Sequence, residues 1–139
     1  MERGLILTCS VQPQLPEVSV DRQRISHVFQ NFVSNAIKYS PPSGEIRARA
    51  IETDGGVQFS IIDQGPGVPE EYQGRIFDRF FRVPGQARTG AGLGLSIARE
   101  ITVAHGGRIG VRHAPGGGSE FYIVLPSEDE DSRVRTGAT

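Results

Sequence analysis

Asn31, Asn35 and Lys38 are spaced i, i+4 and i+7 in the run Asn31-Phe32-Val33-Ser34-Asn35-Ala36-Ile37-Lys38-Tyr39. On a helix that spacing puts two amides and one ammonium in a single stripe, with Phe32 and Val33 turned toward a core. The stripe suits a phosphate group with its Mg²⁺. An amide carbonyl is an acceptable hard ligand, Mg²⁺ keeps waters and phosphate oxygens at its other positions, and Lys38 can neutralise the phosphate tail. The alternative is an ordinary solvated face, which two helix-interior asparagines on one stripe weaken. A second candidate is Asp63-Gln64-Gly65-Pro66-Gly67, a carboxylate at a strand end followed by glycines that let the backbone approach a planar ligand. Asp63 could accept a hydrogen bond from an exocyclic amine such as adenine N6, although Asp-x-Gly-x-Gly alone is often just a turn. The third is Gly90-Ala91-Gly92-Leu93-Gly94-Leu95, where backbone amides at a helix start can hold phosphate oxygens. It lacks the Rossmann spacing, and the chain has no Gly-Lys-Ser/Thr P-loop, so neither of those nucleotide folds is the reading.

Elements that could hold these groups are visible in the periodicity. Leu5 to Thr8 reads as a first strand, and Val18 to Val20 as a short extended segment. Asp21 is the expected N-cap of a helix whose apolar positions Ile25, Val28, Phe29, Phe32, Val33, Ala36 and Ile37 repeat with helical period until Pro41-Pro42 ends it. Alternation at Ile46, Ala48 and Ala50, a turn at Asp54-Gly55-Gly56, and alternation at Val57, Phe59 and Ile61 read as a β-hairpin ending near Asp63. A long loop follows from Gly65 to Gly94, with one short helix expected around Glu70 to Phe77; loops of that length in compact domains are usually functional. Within it, Phe77, Phe80 and Phe81 are expected to form a small satellite core. A second helix from Leu93 to Ala104 ends at Gly106-Gly107, and strands are expected at Arg108 to His113 and Glu120 to Leu125. The order is that of an α+β fold: an antiparallel or mixed sheet with helices on one face.

Composition narrows the function classes. The chain has 139 residues, 15 basic against 16 acidic, one Cys and no Trp. Such a length can bury a core without disulfides. One Cys excludes a disulfide framework and a Cys-rich zinc site, and the near-zero net charge disfavours nonspecific nucleic-acid binding. No apolar run reaches the roughly 18 residues of a membrane span. Thirteen of the 18 glycines fall between Gly65 and Gly118, which marks that region for handling a ligand. Of the 15 basic residues only Lys38 is Lys, a compact ammonium among guanidiniums.

Taken in order, these pieces resemble the catalytic and ATP-binding domain of two-component sensor histidine kinases, a branch of the gyrase, Hsp90 and MutL ATP-binding superfamily. The resemblance covers roughly Leu5 to Leu125: NFVSNAIKYS is similar to the N box, DQGPG to the first glycine box, RIFDRFFR to the F box, GAGLGL to the second glycine box and GGGSEF to the last. It implies a two-layer sandwich of the Bergerat type, with a mixed, mostly antiparallel sheet covered on one face by helices. It implies ATP and Mg²⁺ as cofactors. Asn35, assisted by Asn31, would hold the metal. Lys38 would meet the phosphates, and Tyr39 would lie near the ribose or base. Asp63 would take adenine N6, with Gly65, Gly67 and Val68 shaping the pocket. Gly92, Leu93, Gly94 and Leu95 would contact phosphate, and Ser119 would lie near an adenine-side water. Arg82 matches the F-box Arg that approaches the γ-phosphate, which places it with Asn31 and Lys38 among the catalytic candidates. The segment from Gly74 to Gly90 would be a mobile lid.

The ATPase relatives have a Glu at the position of Asn31, and an amide has no basic lone pair to activate water. The chain is therefore expected to bind ATP and hydrolyse it poorly. The family's acceptor is a His followed by an acidic residue on a helical hairpin. His27, His105 and His113 are followed by Val28, Gly106 and Ala114, so none matches. The expected partners are a separate dimerisation and phosphoacceptor hairpin and, downstream, a response regulator receiver domain. The isolated domain is expected to be a monomer, bacterial in source, in the cytoplasmic part of a kinase. Residues 1–126 would form the domain and 127–139 a disordered polar tail. Two rival readings are a water-directed ATPase of the gyrase type and a regulatory module that binds nucleotide without transferring phosphate.

Overall fold

The computed structural model describes residues 6–81 and 94–128. Five strands, β1 (Ile6–Val11), β2 (Glu45–Thr53), β3 (Gly56–Ile62), β4 (Arg108–His113) and β5 (Ser119–Pro126), form one sheet in the order β1-β2-β3-β5-β4. Only β1 and β2 run parallel; the other neighbours are antiparallel. Helices α1 (Arg22–Tyr39) and α2 (Gly94–Ala104) cover one face. This is the expected two-layer α+β architecture.

The sheet places every second residue inward. Ile46 on β2, Ile61 on β3, and Phe121, Ile123 and Leu125 on β5 meet Ile25, Val28, Phe32 and Ala36 of α1 and Leu95, Ala98 and Ile101 of α2 in one core. Phe32 lies against Phe121 with ring centroids 5.5 Å apart. Asp21 caps α1 as expected, its carboxylate accepting from Arg24 N–H at 3.2 Å. At the other end Ser40 N–H still donates to Ala36 O, and Pro41 stops the ladder.

Several expectations need adjustment. The first strand extends to Val11 rather than ending at Thr8, because its polar half is held by Glu45 to Ala50 of β2 in a long parallel register. The short extended segment at Val18 to Val20 contributes one isolated bridge, Val18 with Ser127. The helix expected over Glu70 to Phe77 is a single 3-10 turn at Glu70–Tyr72 followed by further turns. Of the three phenylalanines beyond it, Phe77 joins the core, but Phe80 is 63% exposed, turned outward by a left-handed backbone (φ 67°). Of the expected tail, Ser127 and Glu128 are tied by main-chain bonds to Gly55 and Glu17, and residues 129–139 lie outside the described residues. Among the described residues no helix is long and apolar enough to cross a membrane.

Candidate functional site

The inward face leaves a cleft where the C-terminal half of α1, the loop after β3, the start of α2 and the start of β5 converge. Asn35, Tyr39, Asp63, Gly67, Val68, Leu95 and Ser119 line it, together with Pro66, Ile76 and Phe121. The walls are mostly apolar, and the polar groups are few and grouped, as in small-molecule sites generally.

Asp63 is the best-defined polar group. It ends β3, where its main-chain N–H donates to Ser119 O at 2.9 Å. Its Oδ1 accepts from Gly65 N–H at 2.9 Å and from Ser119 N–H at 3.1 Å. The residue is 4% exposed. Both main-chain donors go to one oxygen, which leaves Oδ2 without a protein donor among the described residues. Burial pushes the Asp63 carboxyl above the usual carboxylate range, against the two main-chain bonds that pull it down. A carboxylate held this rigidly in the wall of a cleft, with its two main-chain bonds on one oxygen, is suited to accept from an amine of a planar ligand through the other.

What lets the chain approach Asp63 so closely is a glycine the sequence analysis had not assigned. Gly118 has φ +93°, and a Cβ there would collide with the Asp63 carbonyl oxygen. The third glycine of Gly116-Gly117-Gly118 thus sets the distance between β5 and the aspartate. Gly67 also lines the cleft, beside the His113 imidazole and within contact of the Gly118 carbonyl.

The asparagine stripe forms as the spacing predicts, but its members do different things. Asn35 lines the cleft. Asn31 sits one turn earlier, its Nδ2–H donating to His27 O at 3.1 Å, which aims Oδ1 at the beginning of α2. A Cβ on Gly94 would come 2.7 Å from that oxygen, so a glycine there is what lets the first turn of α2 stand beside Asn31. A helix start offers unpaired N–H groups to an anion, and the Asn31 amide oxygen stands alongside. Lys38 is exposed in the last turn of α1 and is not among the cleft-lining residues. Gly65 bonds Asp63 from just outside the lining. Arg82, Gly92 and Leu93, and the part of the expected lid beyond Phe81, lie outside the described residues.

Pro66 lines the site within the Asp63–Gly67 motif, and Ile76 and Phe121 join it without having been singled out in the sequence. Ile76 and Phe121 are 5% and 6% exposed and serve core and cleft at once. Their apolar character gave no signal of the second duty; only their positions, inside RIFDRFFR and two residues after Ser119, hinted at it.

The donor set also limits the metal. Among the described residues no three His, Cys, Asp or Glu side chains cluster to hold an ion. Two neutral amides on one helix stripe, Asn31 at the start of α2 and Asn35 in the cleft wall, fit a Mg²⁺ whose other ligands are phosphate oxygens and water, and do not fit an independently bound ion.

With this geometry in view, the chain can be set beside known proteins. A profile of the histidine kinase-, DNA gyrase B- and HSP90-like ATPase family matches residues 20–129. The alginate biosynthesis sensor protein KinB of Pseudomonas aeruginosa is 40% identical over 124 residues, 89% of this chain and 21% of KinB. The adaptive-response sensory kinase SasA of Crocosphaera subtropica is 43% identical over 127 residues, 90% of this chain and 33% of SasA. The chain thus spans between a fifth and a third of these relatives. Among solved structures, full-length ShkA in complex with AMPPNP has a TM-score of 0.79 at 36% identity, covering 91% of this chain and 26% of that one. The histidine kinase ThkA in complex with the response regulator protein TrrA has a TM-score of 0.75 at 30% identity, covering 93% and 36%. With the profile spanning most of the chain and the fold shared with the histidine kinase ThkA, this protein belongs to the histidine kinase-, DNA gyrase B- and HSP90-like ATPase family.

Proposed function

We propose that the domain binds MgATP and presents the γ-phosphate to a histidine on a separate dimerisation and phosphoacceptor hairpin, as the catalytic part of a two-component sensor kinase. The observation that carries this reading is Asp63, buried, fixed by Gly65 and Ser119 through Oδ1, and part of the lining of a cleft that Asn35 also lines. Asp63 takes the adenine amine, and Val68, Ile76 and Phe121 supply apolar walls for the ring. Asn35 and Asn31 would hold the metal, and Lys38 and Arg82 are assigned to the phosphates on the motif alone. Mg²⁺, when bound, neutralises phosphate charge and orients the terminal phosphoryl group.

The chain's own part in the reaction is binding and positioning, which is most of what phosphoryl transfer asks of a protein. Asn31 cannot act as a general base. Water is therefore not activated at that position, and the terminal phosphate is kept for the acceptor imidazole. ShkA bound to AMPPNP and ThkA bound to its response regulator support nucleotide as ligand and a receiver domain downstream. A domain that uses ATP is expected on the cytoplasmic side of any membrane.

The test is calorimetric titration with ADP and with a non-hydrolysable ATP analogue, with and without Mg²⁺, followed by transfer from labelled ATP to a supplied acceptor hairpin. Mg²⁺-sensitive micromolar binding and label on the hairpin are expected. Binding without transfer to the cognate hairpin would leave a regulatory nucleotide module, and rapid phosphate release by the isolated chain would leave an ATPase.

A further inference from the structure

One imidazole joins the ends of the two helices. His105 follows the last residue of α2, where Gly106 N–H donates to Val103 O, Gly107 N–H donates to Thr102 O, and Gly106 takes a left-handed backbone (φ 77°) that closes the helix. The ring folds back on this turn, with Nδ1 2.8 Å from Ile101 O. On its other side the main-chain N–H of Asp21, the N-cap of α1, donates to Nε2 at 3.0 Å.

These partners fix which nitrogen carries the hydrogen. A carbonyl oxygen only accepts and an amide N–H only donates, so Nδ1 is protonated and Nε2 keeps its lone pair. The sequence explains why Asp21 looks outside its own helix for an acceptor. The N–H of an N-cap residue is commonly taken by a Glu or Gln three residues on. In α1 that position is Arg24, a side chain with no acceptor. His105 supplies one from α2.

The helices meet again at the site, where Asn31 Oδ1 stands against Gly94. Asp21 to Asn31 is a rise of about 15 Å along α1, and Gly94 to His105 is one of about 16 Å along α2. The two spans match, so α2 runs antiparallel to α1 with a polar contact at each end. Between them the helices share an apolar core through Val28, Phe32, Leu95, Ala98 and Ile101. Apolar burial opposes separation but has no direction of its own, whereas a hydrogen bond to one ring nitrogen fixes a position along the axis.

We propose that His105 is a positioning residue for the phosphate and metal end of the site. Resting on the MgATP reading above, it acts through Asn31: by tying the cap of α1 to the end of α2, it sets where the first turn of α2 stands beside the asparagine. The adenine end is built on β3 and β5 around Asp63 and does not pass through this tie.

The experiment compares His105→Leu, His105→Gln and Glu120→Gln with the parent chain. Glu120 lies on the helix-free sheet face, and its variant serves as a destabilised control. Titration with MgADP should show His105→Leu weakened by about fivefold or more, the size of coupling that a packed network carries. Adenosine affinity should stay within about twofold, as for distant sites. The amide of His105→Gln offers both an N–H and an oxygen, so it should recover most of the loss. NMR of the nucleotide-free chain reads the tie directly. At mildly alkaline pH the His105 ring should be protonated at Nδ1 alone. His105→Leu should move the signals of Gly94 N–H and the Asn31 side-chain amide while leaving Gly65 and Ser119 N–H in place. Unmoved Gly94 and Asn31 signals, equal losses for adenosine and MgADP, the same loss in Glu120→Gln, or no recovery in His105→Gln would each overturn the inference. A parent chain that binds no nucleotide while the Gly94 and Asn31 signals still respond to His105→Leu would overturn the MgATP reading and uphold the helix tie.

Discussion

Two buried carboxylates on adjacent strands are pushed in opposite directions by their surroundings. Asp63 faces the cleft and is raised by burial. Glu120, the residue after Ser119, points to the opposite, helix-free face. Burial also works against Glu120, but hydrogen bonds from Arg112 and Ser60 and the charges of Arg112 and Arg49 together hold it below the usual carboxylate range. The pH consequences differ in sign. A raised folded-state value means that Asp63 costs stability once pH climbs from the ordinary carboxylate range through its own raised value. Asp63→Asn should leave the nucleotide-free domain at least as heat-stable as the parent at neutral pH, the gap closing on acidification, as melts across a pH series would show. The same substitution should weaken ADP binding roughly 10- to 150-fold, the worth of a hydrogen bond to a charged group. Glu120 contributes stability that is present above its unfolded value and lost as pH falls through its lowered folded one. Glu120→Gln should destabilise the domain by about 1–2 kcal/mol in urea unfolding, a modest figure because Arg49 and Arg112 keep side-chain exposures of 35% and 49%. Nucleotide affinity should hardly change.

At the level of elements, what was legible in the sequence was what periodicity and capping specify. Asp21, the apolar stripe of α1 and Pro41 bounded the helix correctly, and alternation around Asp54-Gly55 gave the β2–β3 hairpin. What was not legible depended on partners distant in sequence. Ile6 to Val11 looks too polar after Leu7 for a strand and becomes one through β2; Phe80 looks like core and is turned out by its backbone. For the site, Asp63, Asn35 and the glycines announced themselves by type and spacing. Ile76 and Phe121 did not, because apolar wall residues look like any core residue. Gly118 was hidden inside a triplet whose other two members meet nothing within 4 Å. Gly118→Ala should therefore be far more damaging than Gly117→Ala. Both positions have positive φ, but only at Gly118 does the added methyl strike the Asp63 main chain. Losses of both stability and ADP affinity are expected for Gly118→Ala, read by melting and titration. Asp21→Ala should cost about 1 kcal/mol of stability through the lost cap, with no change in nucleotide affinity.

For the molecule as a whole, the sheet order places the cleft at one end of the sandwich, between α1, the loop after β3 and the first turn of α2. The segment leading away from the cleft is anchored to α2 by Arg99–Asp78 at 3.2 Å and Arg79–Glu100 at 3.5 Å, and Arg75 lies over the Phe81 ring at 4.6 Å. Both ion pairs are exposed and contribute little to global stability. Their effect is on how the loop departs from the core. A ligand that binds only the folded state raises stability by mass action, about 2.7 kcal/mol at a hundredfold excess over Kd. For a chain of this size that is a rise in melting temperature of roughly 5–10 °C with saturating MgADP, checked by differential scanning fluorimetry or calorimetry.

The absence of tryptophan has an optical consequence, since emission from the three tyrosines is not masked by a brighter indole. Each tyrosine occupies a different neighbourhood: Tyr39 in the cleft wall, Tyr72 against Phe81 at 5.8 Å, and Tyr122 under the Arg112 guanidinium at 4.6 Å on the far side of the sheet. Single Tyr→Phe replacements would assign the ultraviolet signal to these places. The protein thus contains its own label-free reporters for ligand entry, loop movement and the opposite sheet face.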